Sequence, residues 1–125
     1  MIYLDTSFLA PFYIRETTSK QVENILLNIP PNELVISDWT KVEFASLLSR
    51  LVRMGELSKE LVEAVITAFL EDVKQSYSVI TITRNDFERA SEFILQWDTG
   101  LRAGDALHLA IADNHRIIEQ RIYYR

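Results

Sequence analysis

The sequence predicts an α/β fold built around a central parallel sheet. Short apolar runs without polar alternation, at residues 2–4 and 34–36, are typical of buried parallel strands. Pairs of segments with helical periodicity separate the strands, and the order β-α-α-β-α-α-β-α-α predicts right-handed crossovers. At 125 residues the chain is expected to form one domain, residues 1–125, because domains usually span roughly 100–200 residues.

Each element follows from its own local pattern. The predicted strands cover residues 2–4, 33–37 and 77–83. The predicted helices cover residues 8–13, 17–29, 39–54, 58–73, 87–97 and 106–114. Their expected caps are Thr6 or Ser7, Thr17 or Thr18, Ser37 or Asp38, Ser58, and Asn85 or Asp86. Pro30 and Gly55 are expected to end the helices that precede them.

The last ten residues do not predict one structure. Residues 117–118 fit either a fourth strand or an extension of the preceding helix. Residues 119–121 fit a helix better, and residues 122–124 fit a strand better.

Composition excludes several classes of function. The chain has no cysteine, which rules out disulfides and thiolate metal sites and fits a reducing compartment. We expect no secretory signal and no membrane span, since no apolar run approaches roughly 20 residues, and we therefore expect a cytoplasmic protein. The net charge of −5 argues against nucleic-acid binding by bulk electrostatics, but it permits binding through a local basic strip or a bound cation.

Three acidic residues stand where their neighbours are expected to be buried. Asp5 ends the first strand, at the edge where open parallel sheets bind ligands. Glu43 begins a helical stripe that continues with Leu47 and Leu51, and Asp105 opens a nearly apolar helix. A carboxylate in such surroundings is costly unless it is paired or bound to a cation.

Converging carboxylates raise at least one pKa unless a cation joins them. Carboxylate oxygens are the ligands that Mg²⁺ prefers, so the pattern predicts a shared metal site. The alternative is a separate structural role for each acid. These roles are Asp5 as a helix cap, Glu43 paired with Lys41 or Arg50, and Asp105 as an N-cap beside Arg102.

Three segments resemble the PIN domain, and more closely the toxin ribonucleases of VapBC toxin–antitoxin pairs. They are Ile-Tyr-Leu-Asp-Thr-Ser at 2–7, Val-Glu-Phe at 42–44 and Leu-Arg-Ala-Gly-Asp-Ala-Leu-His-Leu-Ala at 101–110. The resemblance runs from residue 1 to about residue 115. It implies a three-layer α/β/α fold and a Mg²⁺- or Mn²⁺-dependent endoribonuclease, the toxin of a type II toxin–antitoxin pair.

The resemblance also implies roles for single residues and partners. Asp5, Glu43 and Asp105 match the first three acids of the family, which are catalytic and bind the metal. Thr6 or Ser7 matches a hydroxyl that helps to hold the metal or its water. The implied partners are an RNA substrate and a VapB-like antitoxin that directs a basic or apolar segment toward the acids. The wide apolar stripe of residues 39–73 further suggests a homodimer.

One departure from the family pattern concerns the fourth acid. The family's fourth strand ends in Thr-x-Asp some 18–20 residues after the third acid, where this sequence has Tyr123, Tyr124 and Arg125. We expect a truncated or altered C-terminal strand and assign no fourth ligand, since neither Glu119 nor Asp98 matches the motif. The alternative function is therefore a weakened or inactive PIN-like module that keeps antitoxin and dimer binding. Another Mg²⁺-dependent phosphate enzyme is a weaker alternative.

The remaining polar and aromatic residues have simpler interpretations. His108 is expected to be a satisfied structural histidine, Asp38 and Asp86 to be helix caps, and Asp98 at most a peripheral contact to metal or substrate. Most arginines are expected on solvated faces, with a few facing substrate phosphates among Arg50, Arg53, Arg84, Arg89 and Arg102. Packing or interface roles are expected for Trp39, Trp97, Tyr123 and Tyr124.

Overall fold

The sheet has four parallel strands. The computed structural model describes residues 1–15, 19–96 and 100–120. Its strands are β1 (Ile2–Leu4), β2 (Leu34–Ser37), β3 (Ser78–Ile80) and β4 (Ile118–Gln120), and they lie in the order β3-β2-β1-β4. All neighbouring pairs are parallel, so the predicted parallel sheet is confirmed.

Six α-helices and one short 3₁₀ helix surround the sheet in the described part of the chain. They are α1 (Thr6–Tyr13), α2 (Ser19–Leu27), the 3₁₀ helix Pro31–Glu33, α3 (Asp38–Arg53), α4 (Lys59–Gln75), α5 (Arg84–Ile94) and α6 (Ala103–Asn114). Among the helices described, none combines the length and the apolar character needed to cross a membrane.

The two faces of the sheet carry separate apolar cores. Successive strand residues point to opposite faces, so Leu4 and Ile36 pack with α1 to α4, while Tyr3 and Val35 pack with α5 and α6. Both faces are thus covered by helices, which confirms the three-layer α/β/α architecture.

Strand β4 corrects the prediction for the C-terminal residues. Residues 119 and 120 were expected to fit a helix better, but they pair with β1, where Glu119 lies beside Tyr3 and Gln120 beside Leu4. An open edge of β1 offers backbone hydrogen bonds that outweigh a weak local preference. The predicted continuation over residues 121–124 lies outside the described residues.

Two predicted caps are confirmed and two are wrong. Ser37 caps α3 in a reciprocal arrangement with Thr40, and Ser58 caps α4. However, α1 is capped by Asp5 rather than by the hydroxyl residues after it, and α5 follows Thr83 rather than Asn85 or Asp86. In both cases the helix begins earlier than its apolar periodicity indicated. Thr17 and Thr18 lie outside the described residues.

Candidate active site

A cavity of about 570 Å³ opens at the carboxyl edge of the sheet. The end of β1, the start of α1, one face of α3 and the first turn of α6 form its walls. Asp5, Glu43 and Asp105 all line it, so the fold brings together three acids that are far apart along the chain.

The carboxylate of Asp5 is buried, with 2 % of the residue exposed. Its Oδ1 accepts hydrogen bonds from the backbone N–H of Phe8 (3.0 Å) and from Ser7 Oγ (2.6 Å). The first amides of a helix lack partners within the helix, and an aspartate at the N-cap satisfies one of them. The helix-cap alternative for Asp5 is therefore correct, and the same side chain also forms part of the cavity wall.

Glu43 is held by residues from two other elements. Its Oε1 accepts a hydrogen bond from Thr6 Oγ1 (2.7 Å) and a short one from His108 Nε2. The suggested ion pair with Lys41 is wrong, because Lys41 pairs with Asp38 at 3.1 Å, one turn earlier on α3. Among the described residues, Arg50, the alternative partner, forms no ion pair with Glu43 either.

Opposing effects act on the pKa of Glu43. Burial alone raises this pKa, but the hydrogen bond and electrostatic attraction of His108, together with the hydrogen bond from Thr6, lower it below its usual value of 4.5. The indole N–H of Trp39 adds a smaller lowering, although its buried nitrogen has no hydrogen-bond partner at normal geometry among the described residues. The net lowering of the pKa favours the ionised form of Glu43 in this cavity.

His108 is almost completely buried and has a partner at each ring nitrogen. Nε2 contacts Glu43, and Nδ1 lies 2.6 Å from the hydroxyl of Tyr3, which in turn lies 2.8 Å from Ser37 Oγ. The histidine is satisfied, as expected, but sequence reasoning missed that one partner is Glu43 itself. The spacing of His108 from Asp105 could have indicated that His108 lies near the acids, since residues three apart share one face of a helix.

Asp105 occupies the first turn of α6, on the exposed rim of the cavity. The suggestion that it caps the helix is wrong, because Arg102 is the N-cap residue and makes no side-chain cap bond. Among the described residues the Asp105 carboxylate has no hydrogen bond or ion pair.

Two arginines, Arg50 and Arg102, also line the cavity. From the sequence, five arginines were candidates for facing substrate phosphates, and nothing distinguished these two from the other three. Of those others, Arg89 is paired with Glu92 and Asp113, each at 3.0 Å. The two guanidinium groups offset part of the acids' charge, so a metal is not the only cation that makes the arrangement tolerable.

The donor chemistry of the cavity fits a hard divalent cation. Asp5, Glu43, Asp105, Thr6 and Ser7 line one cavity, and their carboxylate and hydroxyl oxygens are the donors that Mg²⁺ and Mn²⁺ take. Within residues 1–15, 19–96 and 100–120, however, no three His, Asp or Glu side chains are close enough to hold an ion between them. Mg²⁺ is usually held by one or two carboxylates and several waters, so a fit does not require three. The assignment of all three acids as ligands stays a prediction.

Some of the predicted peripheral residues lie outside the described part of the chain. These are Trp97, Asp98, Tyr123, Tyr124 and Arg125. Glu119 is placed by its backbone in β4, next to Tyr3.

Comparison with known proteins agrees with the fold. The chain is similar to the crystal structure of VapC20 from Mycobacterium tuberculosis, a sarcin–ricin loop cleaving toxin, with a TM-score of 0.79, 20% identity, and coverage of 98% of this chain and 90% of that one. It is also similar to a chain of a toxin–antitoxin complex from Klebsiella pneumoniae, with a TM-score of 0.65, 19% identity, and coverage of 95% and 83%. FitAcB from Neisseria gonorrhoeae gives a TM-score of 0.70, 16% identity, and coverage of 95% and 85%.

At these identities the solved structures show a shared fold. No curated protein sequence matches the chain. The model of the PIN domain family, in contrast, matches residues 2–119, which is nearly the whole chain. The chain therefore belongs to the PIN domain family.

Proposed function

We propose that this PIN-domain protein is a Mg²⁺- or Mn²⁺-dependent endoribonuclease and the toxin of a type II toxin–antitoxin pair. One observation carries the proposal: Asp5, Glu43 and Asp105 come from three different elements and line one cavity at the carboxyl edge of the sheet. The proposal implies an enzyme that acts in the cytoplasm, where its RNA substrate lies.

The reaction is hydrolysis of a phosphodiester. A water oxygen forms a bond to phosphorus, the bond to the ribose oxygen breaks, and that oxygen takes a proton. A bound Mg²⁺ or Mn²⁺ supplies an activated water and positive charge at the scissile phosphate. Asp5, Asp105 and Glu43 are the residues that hold the ion, directly or through its waters.

The arginines of the cavity have a separate role in binding RNA. The protein carries a net charge of −5, so it does not attract RNA as a whole. Arg50 and Arg102 line the same cavity as the acids, and under this proposal their guanidinium groups bind phosphate oxygens of the substrate strand. These contacts orient the backbone over Asp5 and Asp105.

The central test is Asp5→Asn. Asparagine caps helices as well as aspartate does, so we expect α1 and the melting temperature to be preserved. The substitution removes the charge that binds the metal, and loss of a ligand is expected to lower metal-dependent RNA cleavage at least about 100-fold. Cleavage of labelled RNA at fixed Mn²⁺ measures the effect, and growth arrest on expression provides a second readout.

The matched control is Asp38→Asn, which removes one carboxylate from the first turn of α3, where Asp38 pairs with Lys41. Its cleavage is expected to stay close to that of the wild type. Unchanged cleavage by Asp5→Asn would rule out the proposed mechanism. Parallel assays with DNA of the same sequence test the choice of RNA.

A non-catalytic module is the second candidate function. It is favoured by the spacing of the acids, since no three potential ligands in the described residues form a closed group. Calorimetric titration with Mn²⁺ separates the two candidates. Binding that is lost in Asp5→Asn supports the nuclease, while no binding at millimolar Mn²⁺ favours a module that keeps only its protein partners.

A VapB-like antitoxin is the proposed protein partner. The structural similarity to a chain of a toxin–antitoxin complex supports this choice. The acids of the cavity attract a basic segment, so an antitoxin that inserts one would exclude RNA from Asp5 and Asp105. Under this proposal, addition of the antitoxin suppresses cleavage without removing the metal.

A further inference from the structure

Two residues of the segment 101–110 have no part in metal or RNA binding as described above. Gly104 lies in the first turn of α6, and His108 lies one turn further along the same helix. His108 contacts the carboxylate of Glu43, which comes from α3, and a Cβ atom at position 104 would meet the same carboxylate. The two positions face different oxygens of that carboxylate, Oε1 for His108 and Oε2 for the space at Gly104.

His108 fixes the position of Oε1. An ionised carboxylate can only accept, so the hydrogen bond between the two side chains requires a proton on His108 Nε2. The other ring nitrogen is occupied by Tyr3, whose hydroxyl also contacts Ser37. Because Tyr3 and His108 are both buried in the packed interior, the imidazole has little freedom to turn away from Glu43.

Gly104 leaves room for Oε2. A Cβ atom at position 104 would lie 2.5 Å from Glu43 Oε2, closer than real Cβ contacts allow. Of the three glycines, Gly55 and Gly100 adopt positive φ and Gly104 does not, so the backbone conformation at position 104 does not demand glycine. A glycine in a helix is less stable than alanine by about 1 kcal/mol, and the space it provides for the carboxylate is the reason we find for its presence.

We propose that Gly104, His108 and Tyr3 are positioning residues that together hold the Glu43 carboxylate in one orientation at the cavity. We call this arrangement the Glu43 clamp. Its role in catalysis rests on the proposed nuclease function, but its geometry exists in the metal-free protein and can be measured there.

The first experiment uses Gly104→Ala. The atom that the new methyl group meets is the end of a flexible side chain, so the carboxylate moves and the helix does not. We expect the melting temperature to change little, since the gain in helix propensity from alanine offsets part of the cost of weakening the hydrogen bonds to Glu43. Mn²⁺ affinity, measured by calorimetry, and RNA cleavage are each expected to fall about 10- to 100-fold. The control is Ala103→Ser, an equally small enlargement at the exposed neighbouring position, which is expected to change neither.

The second experiment reads the clamp without metal or RNA. In ¹H–¹⁵N spectra of the imidazole groups, His108 is expected to carry a proton on Nε2. That N–H signal is expected to shift in Glu43→Gln and in Gly104→Ala, but not in Ala103→Ser. An unprotonated Nε2, or a signal that Gly104→Ala leaves unchanged, overturns the clamp.

The third experiment tests whether His108 acts through Glu43. His108→Gln keeps an N–H donor near the position of Nε2, whereas His108→Leu removes it. We expect Mn²⁺ affinity to be largely retained in the first variant and lost about 10- to 100-fold in the second. In a Glu43→Gln background, His108→Leu should have no further effect. An equal loss in both backgrounds overturns the proposal.

These readouts separate the clamp from the function on which it rests. A wild-type protein that neither binds Mn²⁺ nor cleaves RNA contradicts the nuclease, whatever the imidazole spectra show. The state of His108 Nε2 and its response to Gly104→Ala decide on the clamp in either case.

Discussion

At the scale of single residues, the one carboxylate of Asp5 has two roles: it caps α1 and it forms part of the cavity wall. The cap needs an oxygen acceptor, which asparagine also provides, whereas a metal needs negative charge. The structural and the chemical interpretation of Asp5 were posed as alternatives from the sequence. The structure shows directly that Asp5 caps the helix, and this role does not prevent the same carboxylate from binding a metal.

A partly buried polar cluster of Tyr13, Asp72 and Tyr77 connects α1 to α4 and the residues that follow α4. The hydroxyl of Tyr13 donates to Asp72 Oδ2 (2.6 Å) and lies 2.6 Å from the hydroxyl of Tyr77. Burial is the main cause that raises the pKa of Tyr77 to about 12, and burial together with Tyr77 and Asp72 also raises the pKa of Tyr13. Both hydroxyls must keep their protons in the folded protein.

This pair predicts a loss of stability at alkaline pH. Above about pH 10 a tyrosine of the unfolded chain releases its proton while Tyr77 retains it, so the folded state binds more protons and stability falls as pH rises toward 12. Urea unfolding at intervals from about pH 9 to about pH 12 measures the slope. Tyr77→Phe is expected to make the slope shallower, with the remainder coming from Tyr13, and a slope equal to that of the wild type would contradict the assignment.

At the scale of elements, one aspartate joins the start of α5 to the end of α6. Asp86 is buried and accepts hydrogen bonds from the backbone N–H of Thr83 (2.9 Å) and from Asn114 Nδ2 (2.8 Å). It was expected to be the cap of its helix, but it lies in the first turn and reaches back to the cap residue. One carboxylate thus secures a helix start and a helix–helix contact.

We predict that Asp86→Ala lowers the free energy of unfolding by about 2 kcal/mol or more, because it leaves the Thr83 amide and the Asn114 amide without their acceptor. The control is Asn85→Ala at the exposed neighbouring position, which is expected to change stability by less than about 0.5 kcal/mol. Chemical denaturation of the two variants provides the comparison. Equal stability of the two would mean that the linked hydrogen bonds contribute nothing net.

At the scale of the whole molecule, α3 and α4 leave large apolar side chains exposed. The exposed apolar residues of this surface, called the 39–73 surface, are Val42, Met54, Leu61, Ile66 and Leu70. Isolated exposed apolar residues are common, but several on two consecutive helices are typical of an interface. They fit the homodimer expected from the sequence, in which a second copy would cover these side chains.

The dimer is tested with Leu70→Glu, whose parent side chain is 54 % exposed, so that the fold should tolerate the change. We expect light scattering to show a dimer for the wild type at micromolar concentration and a monomer for the variant, because an unpaired charge in an apolar interface is costly. Leu27→Glu, at an 80 % exposed position on α2, is the control and should remain dimeric. A monomeric wild type would contradict the prediction.

Much of the fold could be predicted because helix caps, apolar periodicity and strand composition are local properties. Ser37 and Ser58 were recognised as caps from a few neighbouring residues, and the parallel sheet followed from the order of the elements. Strand β4 could not be assigned in this way, since only its pairing with β1 decides its structure. That residues 1–125 form a single domain stays a prediction.

The sequence by itself determined which residues can carry the chemistry: three acids in apolar surroundings, on three elements that a parallel sheet brings to one edge. Tertiary structure alone decided which hydrogen-bond partners and positively charged groups surround those acids. Glu43 contacts His108, which is 65 residues away in the sequence, and Tyr3 contacts the other ring nitrogen of that histidine. Arg50 and Arg102 line the same cavity. Such pairings depend on how α3 and α6 pack against β1, and no local periodicity encodes a distance between side chains so far apart along the chain.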